Sequence, residues 1–530
     1  MTSETVAIID QAGAITSMQI ELPYQADTLA LYQRLCRHHA HNLLLDSAEI
    51  QSRQHLKSLL MVDAALQLRC HDQQVTITAL TGNGAQLLPW LAEQLQASAV
   101  SLELTSHQLQ CQFAAIDDSL DEDSRLRQAS NIEPLRILQQ RLQQTQPHPL
   151  GIFLGGIFAY DYVASFEALP VVAEGHNNCP DYLFYLAETL LVIDHQKRST
   201  TLLANLLSGP DSADYYSQIA DKVGRIAAQC QLPASPQQPP AAPAQKSTNA
   251  VQAYPDAASF AATVEQLQQN ILAGDIFQVV PSRRFTLPCA DALAAYARLK
   301  AANPSPYMFF LRSSDFEVFG ASPESALKYT ASTNQVELYP IAGTRPRGKY
   351  PDGSINPDLD SRLELELRLD QKELAEHMML VDLARNDLAR IAKPGSRYVA
   401  NLLQVDRYSH VMHLVSRVVA QLADDLDALS AYRACMNMGT LVGAPKVRAA
   451  ELIRQVEQQR RGSYGGAVGY LSGNGDMDTC IVIRSAFVRG GQAMVQAGAG
   501  VVFDSVAAAE VAETEGKARA VIQAIQEAAL

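Results

Sequence analysis

The chain has one tryptophan, Trp90, and eight cysteines with no CxxC pair among them. A disulfide or zinc framework needs close, repeated spacings, and Cys36, Cys70, Cys111, Cys179, Cys230, Cys289, Cys435 and Cys480 are scattered. They read as reduced thiols of a cytoplasmic protein. No run approaches the ~18 apolar residues of a membrane span. The start MTSETVAIIDQAG has neither a basic head nor a long apolar core, so no signal peptide is expected. Positive charge is also scarce. With 42 Lys and Arg against 56 Asp and Glu the net charge is −14, which argues against general binding to nucleic acid or anionic membranes. A small anionic substrate held by a few local cations stays open. Cys36, His38, His39 and His41 lack ligand spacing and read as the solvated face of a short basic helix end. No repeat at solenoid periods is present.

At 530 residues, 47% hydrophobic and 18% charged, the chain has the composition of a globular protein of two to four units or one large intertwined body. LYQRLCRHHA and LPWLAEQLQA read as helices, while VTITAL, SLELTSHQLQCQFA and AETLLVID read as strands. Residues 231–249 hold five prolines and no apolar periodicity, so they read as an extended linker. Beyond it, 258–274 reads as a helix closed by glycine, and VELYPIAGT as a strand ending in a turn. Tyr464–Leu471 and Thr479–Val488 form strands joined at Gly473-Asn474-Gly475-Asp476, a hairpin signal. Ala493–Phe503 reads as a further strand. Val506–Glu527 reads as a long helix capped by Asp504 or Ser505.

The chemistry concentrates around ELAEHMMLVDLARNDLAR, Glu373 to Arg390. At helical spacing Met379, Leu380 and Leu383 form one apolar stripe with Glu376 in its middle. Leu374, Met378, Val381 and Leu388 form another on the far side. A helix apolar on two sides is expected between layers, with the Glu376 carboxylate drawn inside. Such a group needs a salt bridge, a metal ion or a proton to move. On Thr479–Val488, Arg484 shares a face with small apolar residues, so its guanidinium needs an internal glutamate or a ligand carboxylate. Gly498-Ala499-Gly500 weakens a strand unless a backbone or ligand approaches closely. The strand continues instead of opening a helix, so a dinucleotide loop fails on context. Glu510 and Glu513 share one helix face. With Glu373 and Glu376 they suit one Mg²⁺ site, since hard cations prefer carboxylate oxygens. Glu513 with Lys517 alone is a surface pair worth ~0.3 kcal/mol.

PIAGTRPRG (Pro340–Gly348), the string Asp370–Asp387, VMHLVS (Val411–Ser416), GTLVGAPKVRAAEL (Gly439–Leu452), RGSYGGAVGY (Arg461–Tyr470), AGAGVVFDS (Ala497–Ser505) and EVAETEGKA (Glu510–Ala518) resemble the chorismate-utilising enzymes. Within them they resemble the large subunits, component I, of anthranilate synthases. LLLDSAEI (Leu43–Ile50) and NPSPYMFF (Asn303–Phe310) resemble the tryptophan-binding signature of those subunits. The resemblance implies that Arg484, the Tyr464 hydroxyl and the amides of Gly498, Ala499 and Gly500 grip chorismate, with Gly343 and Thr344 opposite. It implies Mg²⁺ on Glu376 and Glu513, with Glu373 and Glu510 holding metal waters. Glu324, in GASPE, would be the general acid that protonates the leaving oxygen while ammonia attacks. His413 would assist loss of pyruvate, and Thr440 would hydrogen-bond near the substrate.

Relatives that make aminodeoxychorismate often carry lysine at the position of Ala342, where an amine attacks the substrate. Alanine there favours direct attack by ammonia, as in anthranilate synthesis, with aminodeoxychorismate and isochorismate synthases as the alternatives. No GxCxGxQ string is present, so ammonia would come from glutamine through a separate amidotransferase subunit (component II), in a heterotetramer of two large and two small subunits. Ser47, Pro306, Tyr307 and Met308, with Lys57 nearby, would bind L-tryptophan as a feedback inhibitor of its own biosynthesis. Asp46 stands where the family usually has glutamate. The fold expected is α+β, with antiparallel sheets packed face to face and helices outside. Residues 1–230 would carry the regulatory site, 231–250 the linker and 251–530 the catalytic domain.

Overall fold

The computed structural model describes residues 11–47, 56–117, 119–232, 251–408 and 411–529. Nearly all of the proline-rich linker, and the end of the LLLDSAEI string, lie outside the described residues.

The fold is α+β. Apart from the short pair Gln278–Val279 and Gly443–Ala444, every described strand joins one almost wholly antiparallel hydrogen-bonded network. Strands from either side of the linker pair directly. Asn42–Asp46 lies against Tyr307–Arg312, with Asp46 opposite Met308, and Phe153–Phe158 lies against Ala467–Ser472.

The run YMFFLR explains how such a strand is held. Met308 and Phe310 point into a cluster that also takes Leu31 and Tyr32 from the helix Thr28–Cys36 and Tyr296 and Leu299 from the helix Ala292–Ala302. Phe309 and Leu311 point the other way, into a cluster with Leu43, Tyr185 and Phe487 that contains strand and adjoining loop residues and none from a helix. Because side chains alternate along a strand, a run buried on both faces is continuously apolar instead of alternating. Each large side chain so buried contributes about 1.5–3 kcal/mol. The helix Ala507–Ala528 packs on Ala292–Ala302 through Ala518, Val521, Ala524 and Ile525. That contact sets the position of the acidic first turns of the helix.

Several elements differ from the sequence reading. The helix Gln371–Ala389 is not buried on two sides. Its buried residues are His377, Leu380, Val381, Ala384, Asp387 and Leu388, a single face, while Met378 is 44% exposed. His377 belongs to that face because its Nε2 lies 2.7 Å from Ser416 Oγ, a partner that sequence periodicity cannot register. Glu376 therefore sits half-buried at the edge of the buried face, not in its middle. The expected strand Thr479–Val488 is two strands, Met477–Ile481 and Ser485–Arg489. Arg484 adopts φ 50° in the break, so strand alternation does not decide where it points. VELYPIAGT is likewise split into Gln335–Leu338 and Ile341–Pro346. The last strand, Gln492–Gly498, ends at the glycines, and the final helix is preceded by Val506 with no side-chain cap. Ser505 Oγ instead accepts from the Val502 amide at 3.0 Å. Cys36 is fully buried, while His38 and His39 are exposed.

Candidate active site

Asp370 caps the Gln371–Ala389 helix by accepting from the amides of Lys372 and Glu373. Glu376 follows in the second turn. Its Oε1 accepts from Gln278 Nε2 at 3.1 Å, and a Cβ on Gly500 would stand 3.5 Å from the same oxygen. Burial raises the Glu376 carboxyl above the ordinary range, Glu373 and Glu513 add to the rise, and Lys517 opposes it. The two acidic helices thus face each other. Glu373 itself is held by Arg345 Nη1 at 3.0 Å, and Arg345 also binds Asp370 and Glu366. On the second helix Glu510 is buried and pushed up by that burial. Glu513 Oε1 lies 2.7 Å from Lys517 Nζ, and the same ammonium donates to the Gly498 carbonyl at 3.0 Å.

Arg484 closes the cluster. A non-glycine residue held at positive φ costs on the order of 1–3 kcal/mol and persists only where the surroundings fix it. Here its Nη1 donates to the Lys517 carbonyl at 3.2 Å. Burial weakens its hold on the proton, with Tyr464 and Glu513 opposing. The Tyr464 ring is buried, and a Cβ on Gly498 would stand 2.9 Å from its hydroxyl, so only glycine lets that oxygen approach. Of the three amides Gly498, Ala499 and Gly500, that of Ala499 already donates to the Pro281 carbonyl at 3.1 Å.

Across the cleft, the strands Ile341–Pro346 and Val411–Gln421 pair so that Thr344 lies opposite His413. His413 Nδ1 is 2.9 Å from Thr344 Oγ1 and 3.3 Å from the Gly343 carbonyl. Burial, with Arg484 adding, holds the imidazole down at about 4. Gly343 adopts φ 77°, with Glu373 Oε2 3.2 Å from where its Cβ would be. On the third side Glu324 is 7% exposed and accepts from Thr440 Oγ1 at 3.1 Å. Burial pushes its carboxyl up to about 8 against the opposing effects of Thr440 and Lys517. Beside it lies a cavity of about 30 Å³ lined by Leu380, Leu383, Asp387 and Pro340, room for a single water.

Among the described residues, no three His, Cys, Asp or Glu side chains converge as a ligand set for a metal. Magnesium commonly takes one or two protein carboxylates and completes its shell with water and substrate oxygens. Glu376, half-buried and bonded to a neutral amide, suits such a two-carboxylate site with Glu513.

The residues expected to bind tryptophan lie on different elements. Ser47 Oγ donates to the Pro306 carbonyl at 3.3 Å. Tyr307 is half-buried and Met308, the next residue on the strand, is buried on the opposite face. Lys57 is exposed. Asp46 is spent internally, accepting from Thr28 Oγ1 at 2.7 Å and from Ser58, and pairing with Lys300. Burial would raise its carboxyl, but these partners hold it below the usual range.

A family model described as chorismate binding enzyme matches residues 90–523. Anthranilate synthase component 1 of Vibrio cholerae is 56% identical over 98% of this chain and 97% of its own length. Its counterpart from Escherichia coli K12 is 53% identical over 97% and 98%. The chain belongs to the anthranilate synthase component 1 family of chorismate-binding enzymes. Among solved structures, anthranilate synthase component I from Streptococcus pneumoniae matches with TM-score 0.67 at 28% identity, over 89% of this chain and 95% of that one. The menaquinone-specific isochorismate synthase of Escherichia coli shares the fold, with TM-score 0.63 at 18% identity over 98% of both chains.

Gln278 and Arg345, which bond to Glu376 and Glu373, escaped the sequence reading because neither carried a local signal. Lys517 had one, its i+4 spacing from Glu513, but spacing alone describes any surface pair. Its second partner, the Gly498 carbonyl, appears only once the strand and helix are packed together.

Proposed function

We propose that this cleft catalyses the anthranilate synthase reaction. Ammonia adds to the ring of chorismate, the C4 hydroxyl leaves, and pyruvate is then lost to give anthranilate, the first committed step towards L-tryptophan. Arg484, the Tyr464 hydroxyl and the glycines Gly498 and Gly500 hold the substrate carboxylates, with Gly343 and Thr344 on the opposite wall. Arg484 suits this task because its guanidinium meets a backbone carbonyl and, among the described residues, no carboxylate partner at hydrogen-bond distance. Glu376 and Glu513 would hold Mg²⁺, with Glu373 and Glu510 around them. The ion, when bound, supplies positive charge that draws electron density towards the substrate's ring carboxylate.

The reading is carried by Glu324, a carboxyl kept neutral at pH 7 by burial and oriented by Thr440 inside a cleft of fixed charges. A neutral carboxyl can give its proton to the departing oxygen. His413 is neutral too. Its Nδ1 is engaged by Thr344 Oγ1 at 2.9 Å and the Gly343 carbonyl at 3.3 Å, and the tautomer with Nδ1–H donating to that carbonyl would leave the Nε2 lone pair to take a proton as the ring aromatises. Ala342 offers no amine to attack the substrate, which favours ammonia as the nucleophile.

Ammonia would be delivered by a glutamine amidotransferase subunit (component II) in a heterotetramer. L-tryptophan would inhibit by binding around Ser47, Pro306, Tyr307 and Met308. Residues 1–230 would contribute Ser47 to that site, and 251–530 its other three residues together with the catalytic ones. The hydrophobic cluster built from strand and adjoining loop residues, with none from a helix, supports two sheet layers packed face to face with helices outside. All eight cysteines are free and buried, which supports a reducing, cytoplasmic setting.

The test is a product assay on the isolated chain with chorismate, Mg²⁺ and either ammonium or glutamine. Anthranilate, identified by mass and fluorescence, is expected from ammonium only, and Glu376→Ala should abolish it. Isochorismate or aminodeoxychorismate as the product would replace this reading.

A further inference from the structure

Lys517 is the ammonium at the centre of the acidic cluster. It contacts Glu513 at 2.7 Å and the Gly498 carbonyl at 3.0 Å. It is also the cation that opposes the rise of Glu324, and with others the rise of Glu376 and Glu510. Its backbone is pinned by Arg484, yet its side chain is 37% exposed and ends a flexible four-carbon stem. One long-stemmed charge therefore stands on Glu513, one of the two carboxylates assigned to the divalent ion, and within electrostatic reach of Glu376, the other. Two cations a few ångströms apart repel, and in a half-exposed site the repulsion is screened but not removed.

We propose that Lys517 is a resident counter-cation: it neutralises Glu513 and its neighbours when no metal is bound, and a divalent ion must displace its ammonium to bind. Lys517 thereby sets the metal concentration at which the enzyme becomes competent, and it keeps the acidic helices from splaying at low metal. The inference rests on the reading of Glu376 and Glu513 as metal ligands.

The sign of the effect separates this role from a merely structural one. A lysine that only braced the site would weaken metal binding when removed, whereas a competing cation would strengthen it. The experiment titrates the full chain with Mn²⁺ in the absence of chorismate, counting free ion by electron paramagnetic resonance. Wild type, Lys517→Met, Lys517→Gln, Lys517→Arg and Glu376→Ala are compared. Lys517→Met and Lys517→Gln should each bind Mn²⁺ more tightly, by on the order of tenfold for one screened unit charge. Lys517→Arg should stay within about threefold of wild type, because it restores the charge. Unchanged or weaker binding in both neutral variants overturns the inference while leaving the metal site standing. If wild type takes up no Mn²⁺ beyond Glu376→Ala, the metal assignment falls and this inference falls with it.

Discussion

Replacing Glu324 by glutamine should separate activity from stability in opposite directions. The amide keeps the shape and can still accept from Thr440, but it has no acidic proton. A positioned general acid contributes roughly 10²–10⁴-fold, so kcat with ammonium at pH 7 should fall by about that factor, some 3–5 kcal/mol of barrier. Stability follows from the ionisation. Burial moves the carboxyl from 4.5 to about 8, so the folded state binds its proton more tightly than the unfolded state. A group raised in this way contributes fully to folding below about pH 4.5, and its contribution is lost as pH rises through about 8. Glutamine has nothing to ionise. Glu324→Gln should therefore melt above wild type at pH 9, with a gain bounded by on the order of 5 kcal/mol. The wild-type rate should also decline above pH 8 when free ammonia, not total ammonium, is held constant. Differential scanning fluorimetry between pH 6 and 9.5 and initial rates over the same range measure both arms. A glutamine variant within a few-fold of wild-type turnover, or one that melts below wild type at pH 9, would refute the assignment of a buried neutral acid.

Two further outcomes concern Asp46 and the proposed tryptophan site. Lys300→Met leaves the buried Asp46 carboxylate without its ion-pair partner and should cost about 3–5 kcal/mol in urea unfolding, most of it recovered by adding Asp46→Asn. L-tryptophan at a hundred times its dissociation constant should stabilise the chain by about 2.7 kcal/mol, and Ser47→Tyr, crowding the Pro306 carbonyl, should cancel that thermal shift.

The fold was legible where one element decides its own geometry. The hairpin at Gly473–Asp476 joins its two strands as the turn residues require, with Leu471 opposite Met477. The helix ending before Gly274 does so as well, with that glycine at φ 80°. Readings failed where a distant partner overrides local pattern. Apolar residues at 374 and 378 suggested a second buried face, but burial centres between the two expected stripes, on His377, where the helix packs against the core and Ser416. Alternation through Thr479–Val488 suggested one strand, but its hydrogen bonds break at Val482. There the Val482 amide reaches back to Gly466 and Arg484 turns left-handed.

The candidate site was legible as residue types in strings, and several of those residues lie in contact or within electrostatic reach of one another. Thr440 touches Glu324, Glu324 and Glu376 feel Lys517, and Lys517 touches Gly498 and Glu513. Arg484 links Lys517 and Tyr464 to His413. What a string cannot carry is the sign and size of each perturbation, because these depend on which charges come together from four segments far apart in sequence. The same carboxylic acid is raised to about 8 at Glu324, where a hydroxyl is its hydrogen-bond partner, and held low at Asp46, where a buried ammonium balances it. Chemistry follows from that difference: a carboxyl whose partner is neutral keeps a proton to give, and one paired with a cation becomes a structural tie. That criterion supports the proposal of Glu324 as the proton donor, and it sets Asp46, although it lies beside Ser47, among the ties that hold the strand Asn42–Asp46.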